Sequence, residues 1–262
     1  MFIIRHQYRS CAAAVIAAMI VAFLPWQAFG QSMTIEPQAQ NLLKAAATFL
    51  ASQKRFSVNT HSTIEVVLVS GQKIQFDSAA VLAVQRPDKL QAMRRGDLVN
   101  QEFFYDGKSL TLYNPGENYY ATVAAPGTLE AMLDFARDTL DIIAPAGDLI
   151  YVNAFEMLMR NATSGFMVGK GAVEGTICDH LAFRGPDVDW QIWIQEGERP
   201  LPRKLVITST DIYAAPQFTV VMSQWDLAPK FADGLFDFRP PKHSKRVDFL
   251  PMSMGGPQPR KR

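Results

Sequence analysis

Between Gly175 and Ser209 apolar and polar side chains alternate with a period of two, the signature of half-buried strands rather than of helix. Val188, Trp190, Ile192 and Ile194 interleave with Asp189, Gln191, Trp193 and Gln195. Successive side chains of a strand point to opposite faces, so the first set makes one apolar face. Gly185-Pro186 before this run, and Glu196-Gly197-Glu198 with Arg199-Pro200-Leu201-Pro202 after it, turn the chain at both ends. Lys204-Leu205-Val206-Ile207-Thr208 reads as the next strand. The result is an antiparallel meander with one greasy face, and such a face needs a cover or a ligand.

The same grammar recurs upstream. Phe56, Val58, Ile64, Val66 and Leu68 share a face, Ser70-Gly71-Gln72 makes a hairpin turn, and Ile74, Phe76, Ala80, Leu82 and Val84 return on one face. Further turns at Arg86-Pro87-Asp88, Gly96-Asp97, Asp106-Gly107 and Asn114-Pro115-Gly116 complete six strands. Helical spacing appears at Pro37–Gln53, Thr128–Ala144 and Val152–Arg160, and strands resume from Phe166 to Trp225. The chain is therefore expected to be mainly β (α+β): a curved antiparallel half-barrel of about eleven strands, with helices covering the concave face. Strand and helix do not alternate, which excludes a doubly wound parallel sheet.

Residues 1–30 read as a cleaved signal peptide, with Arg5 and Arg9 ahead of an apolar run from Cys11 to Leu24 and an Ala28-Phe29-Gly30 cleavage site. That implies a periplasmic location. Residues 31–250 would then form the folded domain, and 251–262 a disordered basic tail. Loss of Arg5 and Arg9 takes the balance from 26 basic and 25 acidic groups to 24 and 25. So neutral a chain offers no basic face for nucleic acid. Cys178 is left without a second cysteine, so no intramolecular disulfide forms and the core must hold the fold.

Candidate chemistry is sparse. Cys178 and His180 share a strand face, which suits an activated thiol or two metal ligands, but a metal needs three or four and no motif supplies the rest. The stronger reading is a buried thiol and a hydrogen-bonded histidine. Asp187 and Asp189 read as solvated edge carboxylates rather than a glycosidase pair. Arg94-Arg95 and Arg203-Lys204 read as strand-surface charges, with a phospholipid head group as their functional alternative. No phosphate loop, nucleophile elbow or His-Glu-x-x-His helix is present. The chain is expected to be a non-enzyme with no catalytic, metal or cofactor site.

One long stretch, Glu174-Gly175-Thr176-Ile177-Cys178-Asp179-His180-Leu181-Ala182-Phe183-Arg184, is followed by Asp189-Trp190-Gln191-Ile192-Trp193-Ile194 and Pro200-Leu201-Pro202-Arg203-Lys204. With Phe104-Tyr105-Asp106-Gly107-Lys108, Leu110, Leu112 and the closing Phe238-Arg239-Pro240-Pro241, it resembles a family of predicted periplasmic proteins of unknown function. That family is related to the LolA/LolB-like lipoprotein carriers, and the resemblance spans most of residues 35–250. It implies an incomplete barrel enclosing a cavity for acyl chains, with a lipid or lipidated protein as ligand. The alternative is an envelope sensor or interaction module with a protein partner and no small ligand. A monomer is expected. Face assignment puts Phe76, Phe104, Leu112, Trp190 and Ile192 from the sheet, and Met132 and Phe135 from a helix, around the ligand.

Overall fold

The computed structural model describes residues 34–142 and 144–249. The signal peptide expected over 1–30 and the tail over 251–262 lie outside the described residues. Six strands follow helix α1 (Pro37–Ser52): β1 (Arg55–Val67), β2 (Lys73–Gln85), β3 (Lys89–Gly96), β4 (Asn100–Tyr105), β5 (Ser109–Asn114) and β6 (Tyr119–Ala124). A helical insert follows, made of α2 (Leu129–Leu140), a 3-10 turn (Gly147–Ile150) and α3 (Ala154–Met159). The second meander is β7 (Ser164–Val173), β8 (Thr176–Arg184), β9 (Val188–Gln195), β10 (Pro202–Ser209) and β11 (Gln217–Asp226), and a short β12 (Lys245–Arg246) ends the order. The first eleven strands are those expected; β12, a two-residue parallel addition beside β6, carries no alternation to reveal it.

Both meanders belong to one sheet, ordered β12-β6-β5-β4-β3-β2-β1-β11-β10-β9-β8-β7 and not closed into a barrel. Antiparallel pairing of β1 with β11 joins the halves. Bulges at Ser57/Asn59, Met167/Gly169 and Pro202/Lys204 break the ladder where the sheet bends. Gly96 permits a different close approach: a Cβ there would run into the backbone oxygen of Asp77, so only glycine lets β3 pair tightly with β2.

The helices pack against one face, the concave one. On α1, Ala39, Leu43, Ala46 and Leu50 recur at helical spacing and are all buried, as are Leu129, Met132 and Ala136 on α2. Thr128 caps α2 by accepting from the Ala131 N–H. The helix ends at Leu140, earlier than the apolar spacing suggests, because Asp141 takes a left-handed conformation at φ 54°. Arg86 pins the insert to the sheet: its guanidinium donates to Glu130 at 3.3 Å and to the Ile150 carbonyl at 2.6 Å.

Beneath the helices, one row crosses six strands through register partners: the buried Phe56, Val84, Leu90, Tyr105 and Leu110, and the half-buried Val123. Tyr105 donates its hydroxyl to the Pro126 carbonyl, and burial pushes its pKa up to about 12. The opposite, convex face is also partly clasped. Phe238 inserts among Phe104, Tyr113 and Tyr120, at ring separations of 5.3, 5.6 and 5.0 Å.

Candidate functional site

Register fixes which of the expected residues meet. Along the concave face, Trp190 pairs with Ile207, Ile207 with Phe218, Phe218 with Ile64, and Ile64 with Phe76. This apolar row crosses β9, β10, β11, β1 and β2, about 19 Å at the usual strand spacing. It begins under the helices and ends outside them: Trp190 is 7% exposed, whereas Ile64 is 37% and its neighbour Val66 38% exposed. The long β1–β2 hairpin reaches past the helical cover, and its inner face is left open.

At the covered end, a cavity of about 170 Å³ lies between the insert and the sheet. Trp190, Val188, Leu205 and Ile207 form its floor, and Leu149, Met157 and Leu158 its roof. Phe183 stacks on Trp190 at 4.2 Å and holds the indole in place. Asp148 lies at this cavity's rim: exposed itself, it is ringed closely enough by protein that desolvation raises its carboxyl above the usual range, against the pull of Arg137 and Arg160. A space of this size admits about one benzene-sized group, so it takes the end of a chain and not a whole lipid. A wider, open depression of about 570 Å³ lies elsewhere, between Phe49, Leu201, Trp225 and Leu227.

The seven expected lining residues therefore part ways. Trp190 and Phe76 stand at the covered and the open end of the row. Leu112 lies half-buried on the concave face three rows away, paired with Phe103 and Ala121. Ile192 and Met132 are 1% and 2% exposed, sealed in the core rather than facing any opening. Phe135 is half-buried on α2, at the margin of that helix's buried side. The placement of Phe104 is corrected: it lies on the convex face against Phe238, while Phe103 and Tyr105 face inward. Phe103, Phe104 and Tyr105 are consecutive, so alternation alone gave no parity; Glu102, which shares the face of Phe104 and pairs with Arg95 at 3.7 Å, is the usable signal. Ile207, Phe218 and Ile64 complete the row and were missed as site residues. The face of Ile64 was legible, but the β1–β11 neighbourhood was not.

Cys178 and His180 form no couple. The Cys178 thiol is fully buried and donates to the Thr176 carbonyl at 3.4 Å, and burial raises its pKa. His180 stacks on Trp193 at 3.9 Å and bonds Gln191 Oε1 through Nε2 at 2.9 Å, while Lys204 lies 4.7 Å over the other ring. Desolvation is the largest influence on this imidazole and lowers its pKa, only partly opposed by Gln191. The folded state thus disfavours protonation relative to the unfolded chain. The contribution of His180 is full above the unfolded pKa near 6.5 and is lost as pH falls through the lower folded pKa. The urea midpoint is expected to fall between pH 7 and pH 5 less steeply in His180→Gln than in the wild type; equal slopes would contradict this assignment. Asp189 is held by the Arg184 guanidinium fork at 2.9 Å. Among the described residues no group of three His, Cys, Asp or Glu is placed to hold a metal.

An open antiparallel half-barrel, its concave face sealed at one end by helices and bare at the other, is the class of protein these features define. The chain belongs to the family described as predicted periplasmic protein (DUF2092), whose model matches residues 39–250. No curated protein matches it. In structure it is similar to an uncharacterized conserved protein from Thermus thermophilus (9% identity, 80% of this chain and 99% of that one, TM-score 0.47). It is also similar to the lipoprotein LppX from Mycobacterium tuberculosis (10%, 76% and 100%, 0.43) and to a LolA superfamily protein from Nitrosomonas europaea (12%, 76% and 96%, 0.38). No helix among the described residues is long and apolar enough to cross a membrane.

Proposed function

We propose that this protein is a non-enzymatic periplasmic binder of acyl chains, carried by a lipid or a lipidated protein, which it lays along the open half of its concave face. The observation that supports this is the continuous apolar row from Trp190 to Phe76, closed over at one end and exposed at the other. Burial of chain supplies the affinity at about 0.8 kcal/mol per methylene. Ten methylenes then give roughly 8 kcal/mol gross, of which association costs at least about 4 kcal/mol, so binding is weak for short chains and steep in length.

The neutral fluorophore N-phenyl-1-naphthylamine tests this with purified full-length protein. Its fluorescence is expected to rise on binding and to be displaced by linear alcohols, with affinity growing about fourfold per added methylene from octanol to dodecanol. A flat response to chain length would refute the reading. A second reading, docking of an envelope protein, is favoured by edge strand β7, where Phe166 and Val168 are 38% and 49% exposed although Thr34–Glu36 already pairs with Gly165 and Met167 along that edge. Crosslinking that captures a protein through β7, with no response to alcohols, selects it.

A further inference from the structure

Beside the open row, the concave face changes character. Register carries the next row from Ile192, Leu205 and Val220 onto Ser62 and Ser78, and the one after it from Met222 and Thr60 onto Ala80, Arg94 and Gln101. A polar strip thus lies between the packed core and the bare tip formed by Ile64, Val66, Ile74 and Phe76. Within it, Ser62 and Ser78 hydroxyls are 2.9 Å apart, and Arg94 leans back one row to donate Nε–H to Ser78 Oγ at 3.2 Å. Ser78 is 6% exposed, so this bond is sheltered.

Arg94 differs from the arginines that carry ion pairs. Neighbouring Arg95 has Glu102, Arg86 has Glu130, Arg137 has Asp134 and Asp138, and Arg184 has Asp189. Arg94 is half-buried, its pKa is lowered by desolvation, and no carboxylate among the described residues compensates it. The Ser78 bond uses Nε alone, which leaves the two terminal amino groups of the fork without a protein acceptor among the described hydrogen bonds. A planar fork of two parallel N–H pairs fits a carboxylate or a phosphate.

We propose that Arg94, oriented by Ser78 and Ser62, is the head-group site of the groove, so that the preferred occupant is an acyl amphiphile with an anionic head, carboxylate or phosphate, whose chain runs along Ile64, Phe218 and Ile207 toward Trp190. This rests on the acyl-chain reading above and adds the chemistry of the other end of the ligand. Half-burial strengthens the charge-assisted bonds relative to open surface, and the apolar tip next to the strip keeps head and chain in contact with their own regions at once.

Displacement of N-phenyl-1-naphthylamine by dodecanoate, dodecyl phosphate and dodecanol, which share a chain length and differ in head, tests it on the full-length protein. The wild type is expected to bind one or both anions about tenfold more tightly than the alcohol, and the stronger of the two identifies the head. Arg94→Gln is expected to erase that preference while leaving dodecanol within about twofold, and Arg95→Gln to leave the preference intact. Acetate and inorganic phosphate, which lack a chain, are expected not to displace the probe. Equal affinity for all three amphiphiles in the wild type, or an equal loss for all three in Arg94→Gln, overturns the head-group site while the chain-binding reading stands. Failure of dodecanol itself to displace the probe overturns both.

Discussion

Phe56→Ala is expected to destabilise the fold by about 3–5 kcal/mol and to lower the melting temperature on the order of 10 °C. Phe56 is 1% exposed and heads the buried row that runs through Val84, Leu90, Tyr105 and Leu110. Its ring also meets Trp225 at 5.6 Å, beside the bulge that lets β1 and β11 part register. Removing it opens a void where the two meanders join, and the surrounding strands are too constrained by their ladders to close it. Urea unfolding with far-UV circular dichroism measures the loss. A change under about 1 kcal/mol would show that this junction is not the packed centre of the sheet.

Ile64→Asp is expected to leave stability nearly unchanged and to weaken dodecanol binding roughly 50-fold. The side chain is 37% exposed, so the unliganded protein keeps the new carboxylate in water at little cost. In the complex the same carboxylate sits between Phe218 and Phe76 in the middle of the row. Contact with about three methylenes is lost, near 2.4 kcal/mol at about 0.8 kcal/mol each. A neutral alcohol is the right probe, since an anionic one adds repulsion from the new charge. Tight binding by a folded Ile64→Asp variant would place the ligand elsewhere, with the depression at Trp225 and Phe49 the next site to examine.

Much of this architecture was legible from residue order. Alternation and turn chemistry are local, so Val188 to Ile194 and the Ile74 to Val84 run declared their faces, and both runs do face the concave side. Pairing between β1 and β11 was not legible, because strands more than 150 residues apart leave no mutual trace in one sequence. That single pairing creates the row joining Trp190 to Phe76, which is why those two residues were anticipated and the three between them were not. The three consecutive aromatics of β4 concealed parity, so Phe104 was placed inside when Phe238 holds it outside. Ile192 and Met132 faced the expected way, but how far the helices extend over the sheet decides whether an inward residue lines a groove or fills the core. The helices fill the centre and leave the β1–β2 tip bare.

The measurement closest to the central claim is native mass spectrometry of the full-length protein, expressed for export to a bacterial periplasm and purified without detergent. A species heavier than the polypeptide by one acyl amphiphile is expected, stripped by organic solvent and missing from Ile64→Asp. A bare polypeptide mass that stays bare after incubation with dodecanoate would contradict an open row built to receive a chain.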